Sequence, residues 1–385
     1  MRIQRNGLAR LVLVVVMALA LAVGAAACGG DDDGDGGDSA TAEDGEGTGS
    51  LEGNGEELVL FTMTASNIYG AVQIEGAEEM AEQLGYELTV FQNNFSQPEQ
   101  DQQVQQYVAT GAEPAAALIF PWVADAATNA VRQLAEIAPV IMITQEPTEQ
   151  TEEFVAAYAG ANQQLIGSVA GEMLLEAREA ADEEGVEPTT PEGNLLEFQH
   201  PEGEKTGVER QKGLEDATAD EPFNVIHIEW GPNDPETGYE IGSQVIPRFK
   251  DEGIDFLYVS NQQAANGIIR ALKENDIRPG RDVMIVSSDC SGTLEAVQNG
   301  ETFGTGLQSG KIEGMLGVAT AAQFIATGTT EGDVQQYEPE PEQPEFEVQP
   351  PAKLNYMPHA AAVGPEGIAD TQIWGLTAEE ICAGE

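Results

Sequence analysis

From residue 58 onward the apolar positions arrive in two alternating rhythms. Short unbroken apolar runs, such as LVLFTM at 58–63, predict buried strands. Between them apolar residues recur three or four positions apart. Ala77, Met80, Ala81 and Leu84 make one such stripe, which Gly85 stops, so a helix is expected over 69–84. The same reading predicts strands at 86–91, 115–120 and 139–144, then at 154–159, 193–198, 224–230, 255–259, 282–287 and 302–307. Helices are expected at 98–110, 124–136, 162–183, 206–219, 238–252, 264–275 and 311–327. Strand and helix in strict alternation imply parallel sheets wound by right-handed crossovers, and two such series imply an α/β protein of two doubly wound lobes.

The start of the chain has a different pattern. Residues 1–28 read MRIQRNGLARLVLVVVMALALAVGAAAC: three arginines, an apolar run from Leu11 to Val23, four small residues, then Cys28. This is an export signal, too short and wrongly flanked for a permanent membrane span. Small residues followed by a cysteine resemble the lipobox of bacterial lipoproteins, although Ala25 stands where that motif usually has Leu. The resemblance implies a cell-surface or periplasmic protein held to the membrane through lipid on Cys28. Residues 29–57 carry no basic residue and almost no apolar one, so they are expected to form an extended acidic tether.

Charge narrows the partners. Among 385 residues, 67 acids face 16 bases, a formal net charge of -51. Such a surface repels nucleic acid, whose binding requires Lys and Arg to displace counterions. It also fits a high-salt setting, where ions screen self-repulsion. No CxxC or Cys/His cluster is present, so neither a metal site nor a cofactor is expected. GxSxG, HExxH and a phosphate loop are missing too, which argues against catalysis. A surface glycosidase using two carboxylates is the remaining enzymatic alternative.

In parallel α/β sheets, ligand groups come from loops just beyond the carboxyl ends of strands. Those positions here hold Asn67, Tyr69, Asn93, Asn94, Pro121, Trp122, Gln145, Glu146, His200, Asn233, Asn261, Gln262, Asp289 and Gln308. Amides, carboxylates and aromatics are what a polyhydroxylated ligand needs: paired donors and acceptors, plus a flat apolar face.

Five segments in order, SNIYGAVQIEGAEEMAEQLGYEL, LIFPWVADAATNAV, VSNQQAANGIIRAL, IVSSDCSGTLEAVQNG and TGLQSGKIEG, resemble the type 1 periplasmic binding proteins, in the branch of ribose-binding protein. The resemblance covers residues 58 to 327. It implies two lobes joined by a three-segment hinge and closing over a ligand, with 58–158 plus 309–330 as one lobe and 159–308 as the other. Residues 331–353 are then a Pro/Glu-rich loop, and 354–385 a tail packing on the body. By position, Asn67 and Tyr69 match the first-loop Asn and ring-stacking aromatic, Asn261 the polar residue after its strand, Asp289 the carboxylate that grips hydroxyls, and Gln308 the hinge glutamine. Trp122 is either a second stacking ring or a rim residue. The implied role is capture of a small polar solute, a sugar or polyol, by a monomer that delivers it to an ABC permease or, alternatively, to a membrane sensor.

Two departures bear on the ligand. Ribose-type members carry Asp-Arg where this chain has Gln145-Glu146, and Val208 stands where the second lobe usually supplies another Arg; Arg210 aligns with an Arg belonging to the helix. With no clear cation in the cleft, an anionic ligand is disfavoured, while a neutral sugar, a polyol or a cationic amine stays open. Cys290 and Cys382 either pair, as an extracytoplasmic compartment permits, or remain isolated thiols.

Overall fold

A computed structural model describes residues 50–202, 204–232, 234–290, 292–337 and 346–383. The export segment, Cys28, most of the acidic tether and Asn233 lie outside the described residues.

The first lobe begins with β1 (Glu57–Met63), α1 (Ile68–Leu84), β2 (Glu87–Asn93), α2 (Gln97–Ala109), β3 (Ala116–Ile119), α3 (Thr128–Ala135), β4 (Val140–Ile143) and β5 (Ala157–Gly160). The chain then crosses into the second lobe. There follow α4 (Gln163–Glu183), β6 (Asn194–Gln199), α5 (Lys205–Ala217), β7 (Asn224–Trp230), α6 (Pro235–Phe249), β8 (Phe256–Val259), α7 (Gln262–Glu274), β9 (Met284–Ser287), the short α8 (Glu295–Gln298) and β10 (Gly304–Leu307). Helix α9 (Gly310–Thr327) returns to pack on α1. Each strand and long helix expected from the apolar rhythm is present, because both faces of a parallel sheet are covered and its strands read as continuous apolar runs.

Residues after 330 build more than a cover. β11 (Gln335–Gln336) and β12 (Leu354–Tyr356) extend the first sheet, and β13 (Ala360–Val363) runs antiparallel to β10 in the second. Helix α10 (Gly364–Asp370), a two-stranded ribbon of β14 (Gln372–Ile373) and β15 (Leu376–Thr377), and α11 (Ala378–Ala383) complete the chain. These strands are two to four residues long, too short to show a period in the sequence.

The sheets order as β11-β12-β5-β4-β3-β1-β2 and β13-β10-β9-β8-β6-β7. Strand order reverses between β1 and β3 in the first and between β6 and β8 in the second. Crevices form at such switch points, beyond the carboxyl ends of the strands. Three segments cross between lobes: the residues joining β5 to α4, β10 to α9, and β12 to β13. A Cys290–Cys382 disulfide, Sγ–Sγ 2.03 Å, ties α11 to the loop after β9, which resolves the open question of the thiols in favour of pairing.

Helix crossings position the groups that matter. On α4, Gly167 meets α5 so closely that an added Cβ would lie 1.9 Å from the carbonyl oxygen of Arg210. On α9, a Cβ at Gly314 would stand 2.0 Å from the carbonyl oxygen of Gln73. Only glycine allows backbones this near. The first contact brings α5 and Arg210 against Gln163; the second brings Glu313 against α1.

Candidate functional site

Between the lobes lies a cavity of about 420 Å³. Asn67, Tyr69, Trp122, Gln145, Asn261, Asp289 and Gln308, all expected from the sequence, line it, as does His200. Glu146 does not. Its carboxylate turns aside to Lys205 Nζ at 3.2 Å and accepts a hydrogen bond from the Tyr356 hydroxyl at 2.8 Å. Asn93 and Gln262 are buried structural amides: Asn93 donates to the Thr62 carbonyl, and Gln262 accepts from Ser287 and donates to Asn266 and Thr302.

The first-lobe wall is aromatic. Phe95 packs edge-on to Trp122 with ring centroids 5.1 Å apart, and Phe120 lies behind at 6.4 Å. Phe95 and Thr144, both lining the cavity, hold φ values of 56° and 64°. A β-branched or bulky residue rarely adopts this left-handed conformation, and such strain collects at functional sites. At Thr144 the hydroxyl is held at 2.7 Å from the Glu313 carboxylate.

Glu313 anchors that wall from below. It is wholly buried and accepts from the Tyr69 hydroxyl at 2.8 Å, Gln73 Nε2 at 2.7 Å, Thr144, and the backbone N–H of Ala161 in the first crossing segment. Burial raises the carboxyl's pKa against the opposing pull of these donors, and raises the Tyr69 hydroxyl's as well, with Glu313 adding to the second shift. Tyr69 is thus fixed at its tip, because its oxygen also accepts from Gln308 Nε2 at 2.9 Å.

The second-lobe wall is ionic. Arg210, 2% exposed, donates from Nη1 to Asp289 Oδ2 at 2.7 Å, to the Ser260 carbonyl and to the Ser288 hydroxyl. Nη2 donates to Gln308 Oε1 at 2.8 Å and Nε to Gln163 Oε1 at 2.9 Å. The planar guanidinium therefore organises four elements at once. A continuous chain runs Asp289–Arg210–Gln308–Tyr69–Glu313, from one lobe through the hinge to the other. Asn261 and Asn67 cap α7 and α1, accepting from Ala264 N at 2.7 Å and Gly70 N at 3.2 Å, so both loops are held as helix starts.

These positions correct one expectation. The cleft does contain a cation: Arg210, which position alone had assigned to the helix, reaches the cavity. Val208 is 51% exposed on the far side of α5. Helical spacing carries the explanation, since residues two apart on a helix point to nearly opposite faces. With Asp289 paired to Arg210 and Glu146 to Lys205, the two carboxylates that kept a cationic amine in view are already neutralised. The sequence reading also missed Phe95, Glu204 and Asp234, which line the cavity. Glu204 precedes α5; its carboxyl pKa is raised by burial while Arg210 pulls it down. Among the described residues, no group of three or more His, Cys, Asp or Glu is placed to hold a metal ion.

Comparison with known proteins places this arrangement in context. A family model described as a periplasmic binding protein domain matches residues 58–330. The ribose import binding protein RbsB of Escherichia coli is 27% identical over 272 residues, covering 70% of this chain and 85% of that protein. The galactofuranose-binding protein YtfQ of Escherichia coli is 25% identical over 57% of this chain and 66% of its own length. Among solved structures, a galactofuranose binding protein superposes with TM-score 0.66 at 19% identity, covering 84% of this chain and 98% of that one. A periplasmic ribose ABC transporter protein from Conexibacter woesei gives TM-score 0.64 at 18% identity, covering 82% and 93%.

Proposed function

The chain belongs to the periplasmic binding protein domain family, and we propose that it captures a neutral sugar or polyol outside the cytoplasm and presents it to an ABC importer. One observation carries the choice of ligand: a buried Arg210–Asp289 pair faces ring systems across the same cavity. An arginine fork and a carboxylate give directed bonds to adjacent hydroxyls, and flat rings cover the C–H face of a sugar. The relatives named for ribose and galactofuranose support the same class.

Binding begins on one wall and ends when the lobes close about the three crossing segments. Closure is favoured by contacts made only in the closed state. In this reading Asp289, Asn261 and Asn67 bond hydroxyls directly, Arg210 and Gln308 orient them, and Tyr69 and Trp122 cover ring faces. Export by residues 1–28 and lipid on Cys28 keep the protein at the membrane, where it meets its permease as a monomer.

A thermal-shift screen in high salt across pentoses, hexoses, polyols, nucleosides and amines tests the reading, since a ligand bound only by the native state raises the melting temperature. Shifts with neutral sugars or polyols are expected. Shifts with amines alone would overturn it.

A further inference from the structure

The cavity does not end at Trp122. A second groove of about 650 Å³ continues from it, and Trp122, Gln145 and Glu204 line both spaces. First-lobe residues 123–125 and 147–150 form one side of the groove, and Pro201, Glu202 and Lys205 of the second lobe form the other. It is not merely the gap of an open molecule, because the lobes already touch beside it through the Lys205–Glu146 ion pair at 3.2 Å.

One residue leaves this side unblocked: the Glu146 carboxylate is drawn off to Lys205 and Tyr356 and does not line the groove. Resting on the sugar-capture reading above, we propose that the ligand is larger than one ring: a neutral disaccharide or glycoside, whose first unit sits against Asp289 and whose second extends past Trp122 into the groove.

The groove's chemistry suits a second hydroxylated unit. Trp122 offers an apolar flank shared between the two spaces, while Gln145, Thr148, Gln150 and Glu202 offer donors and acceptors along the walls. Asp125, Glu149, Glu202 and Glu204 face only Lys205 among the groove's lining residues, so sugar phosphates and uronates are selected against.

The test uses the full folded head and isothermal titration. Parent pentoses and hexoses are compared with their p-nitrophenyl glycosides and with neutral disaccharides, in the wild type and in Gln150→Trp. Gln150 is an exposed groove residue away from the first cavity, so the substitution fills the groove without disturbing the core. The expected result is at least tenfold tighter binding of one extended ligand than of its parent monosaccharide, with Gln150→Trp abolishing that gain and leaving the monosaccharide affinity unchanged. Extended ligands that bind no tighter than the parent sugar overturn the groove and leave sugar capture standing. If neither class binds, both readings fall.

Discussion

The two walls of the cleft solve the same problem with opposite materials. On the first lobe, Phe95, Phe120 and Trp122 present rings, and a buried carboxylate, Glu313, is turned inward to hydroxyl and amide donors. On the second lobe, Arg210 and Asp289 form an ion pair at the surface of the cavity itself. Rings reward contact area and tolerate rotation of the ligand about their normal, whereas a guanidinium–carboxylate pair rewards only particular hydroxyl directions. The first wall should therefore set how much is bound, and the second which stereochemistry is accepted.

The strongest way to break that division is to remove the ion pair. Asp289→Ala is expected to abolish ligand binding and to lower stability, because the buried Arg210 loses its counter-ion. The fold survives through the remaining Arg210 bonds to Ser260 and Ser288. Arg210→Met should do more. It removes the buried counter-ion of Asp289 and is expected to cost about 3–5 kcal/mol of stability as well as binding. Calorimetric titration and urea unfolding read the two effects separately. Unchanged affinity in Asp289→Ala would remove the second wall from recognition.

Charge buried in the second lobe also has a pH signature. Glu197 on β6 is 1% exposed, and burial pushes its carboxyl up to about 7, with a hydrogen bond from Gln199 acting in the opposite direction. Between the ordinary carboxylate range and about pH 7 the folded chain holds more protons than the unfolded one. Stability should therefore fall as pH rises through that window and level off above it. Glu197→Gln keeps the acceptor for Gln199 and removes the charge, so it is expected to stabilise at pH 8 by on the order of 2–3 kcal/mol and to flatten this part of the profile. Melting temperatures from pH 5 to pH 8 check it; equal gains at both ends would contradict the buried-charge account.

On the first lobe the corresponding change is smaller. Tyr69→Phe keeps the ring and deletes the hydroxyl that joins Gln308 to Glu313. Leaving those groups one bond short is expected to cost about 1–3 kcal/mol of stability. The affinity loss should be much weaker than for Asp289→Ala, because the ring face remains. Equal losses would mean that the hydroxyl chain, and not the ring, is what the first lobe contributes.

How far these walls were legible in the sequence follows from what places each residue. Asn67, Asn261 and Asp289 stand two to four residues past the ends of β1, β8 and β9, so strand ends point to them directly. Arg210 does not: it lies in the second turn of α5, and only the close approach of α5 to α4 at Gly167 turns it into the cavity. Phe95 was hidden by its left-handed backbone in a short connection, where no periodicity operates. Glu146 follows a strand just as Gln145 does, yet Tyr356, more than two hundred residues later, draws it out of the cleft. A partner supplied by β12 leaves no local trace at Glu146. Local pattern thus marks which loops meet, while long-range partners decide which side chains point inward.

The smallest expected effect sharpens the comparison most directly. Lys205 and Glu146 join the two walls outside the cavity, with side chains 28% and 20% exposed. Lys205 is also within 2.6 Å of Glu209, so its charge is shared between two carboxylates. Partly solvated pairs of this kind contribute about 0–1 kcal/mol and weaken with added salt. Lys205→Ala is accordingly expected to change ligand affinity less than about fivefold, with the difference vanishing in molar salt, because Glu146 keeps its bond from Tyr356. Titrations at low and high ionic strength measure it. Should Lys205→Ala weaken binding as much as Asp289→Ala, this ion pair would be the latch that closes the lobes, and the ring and ion-pair walls would owe their effect to it.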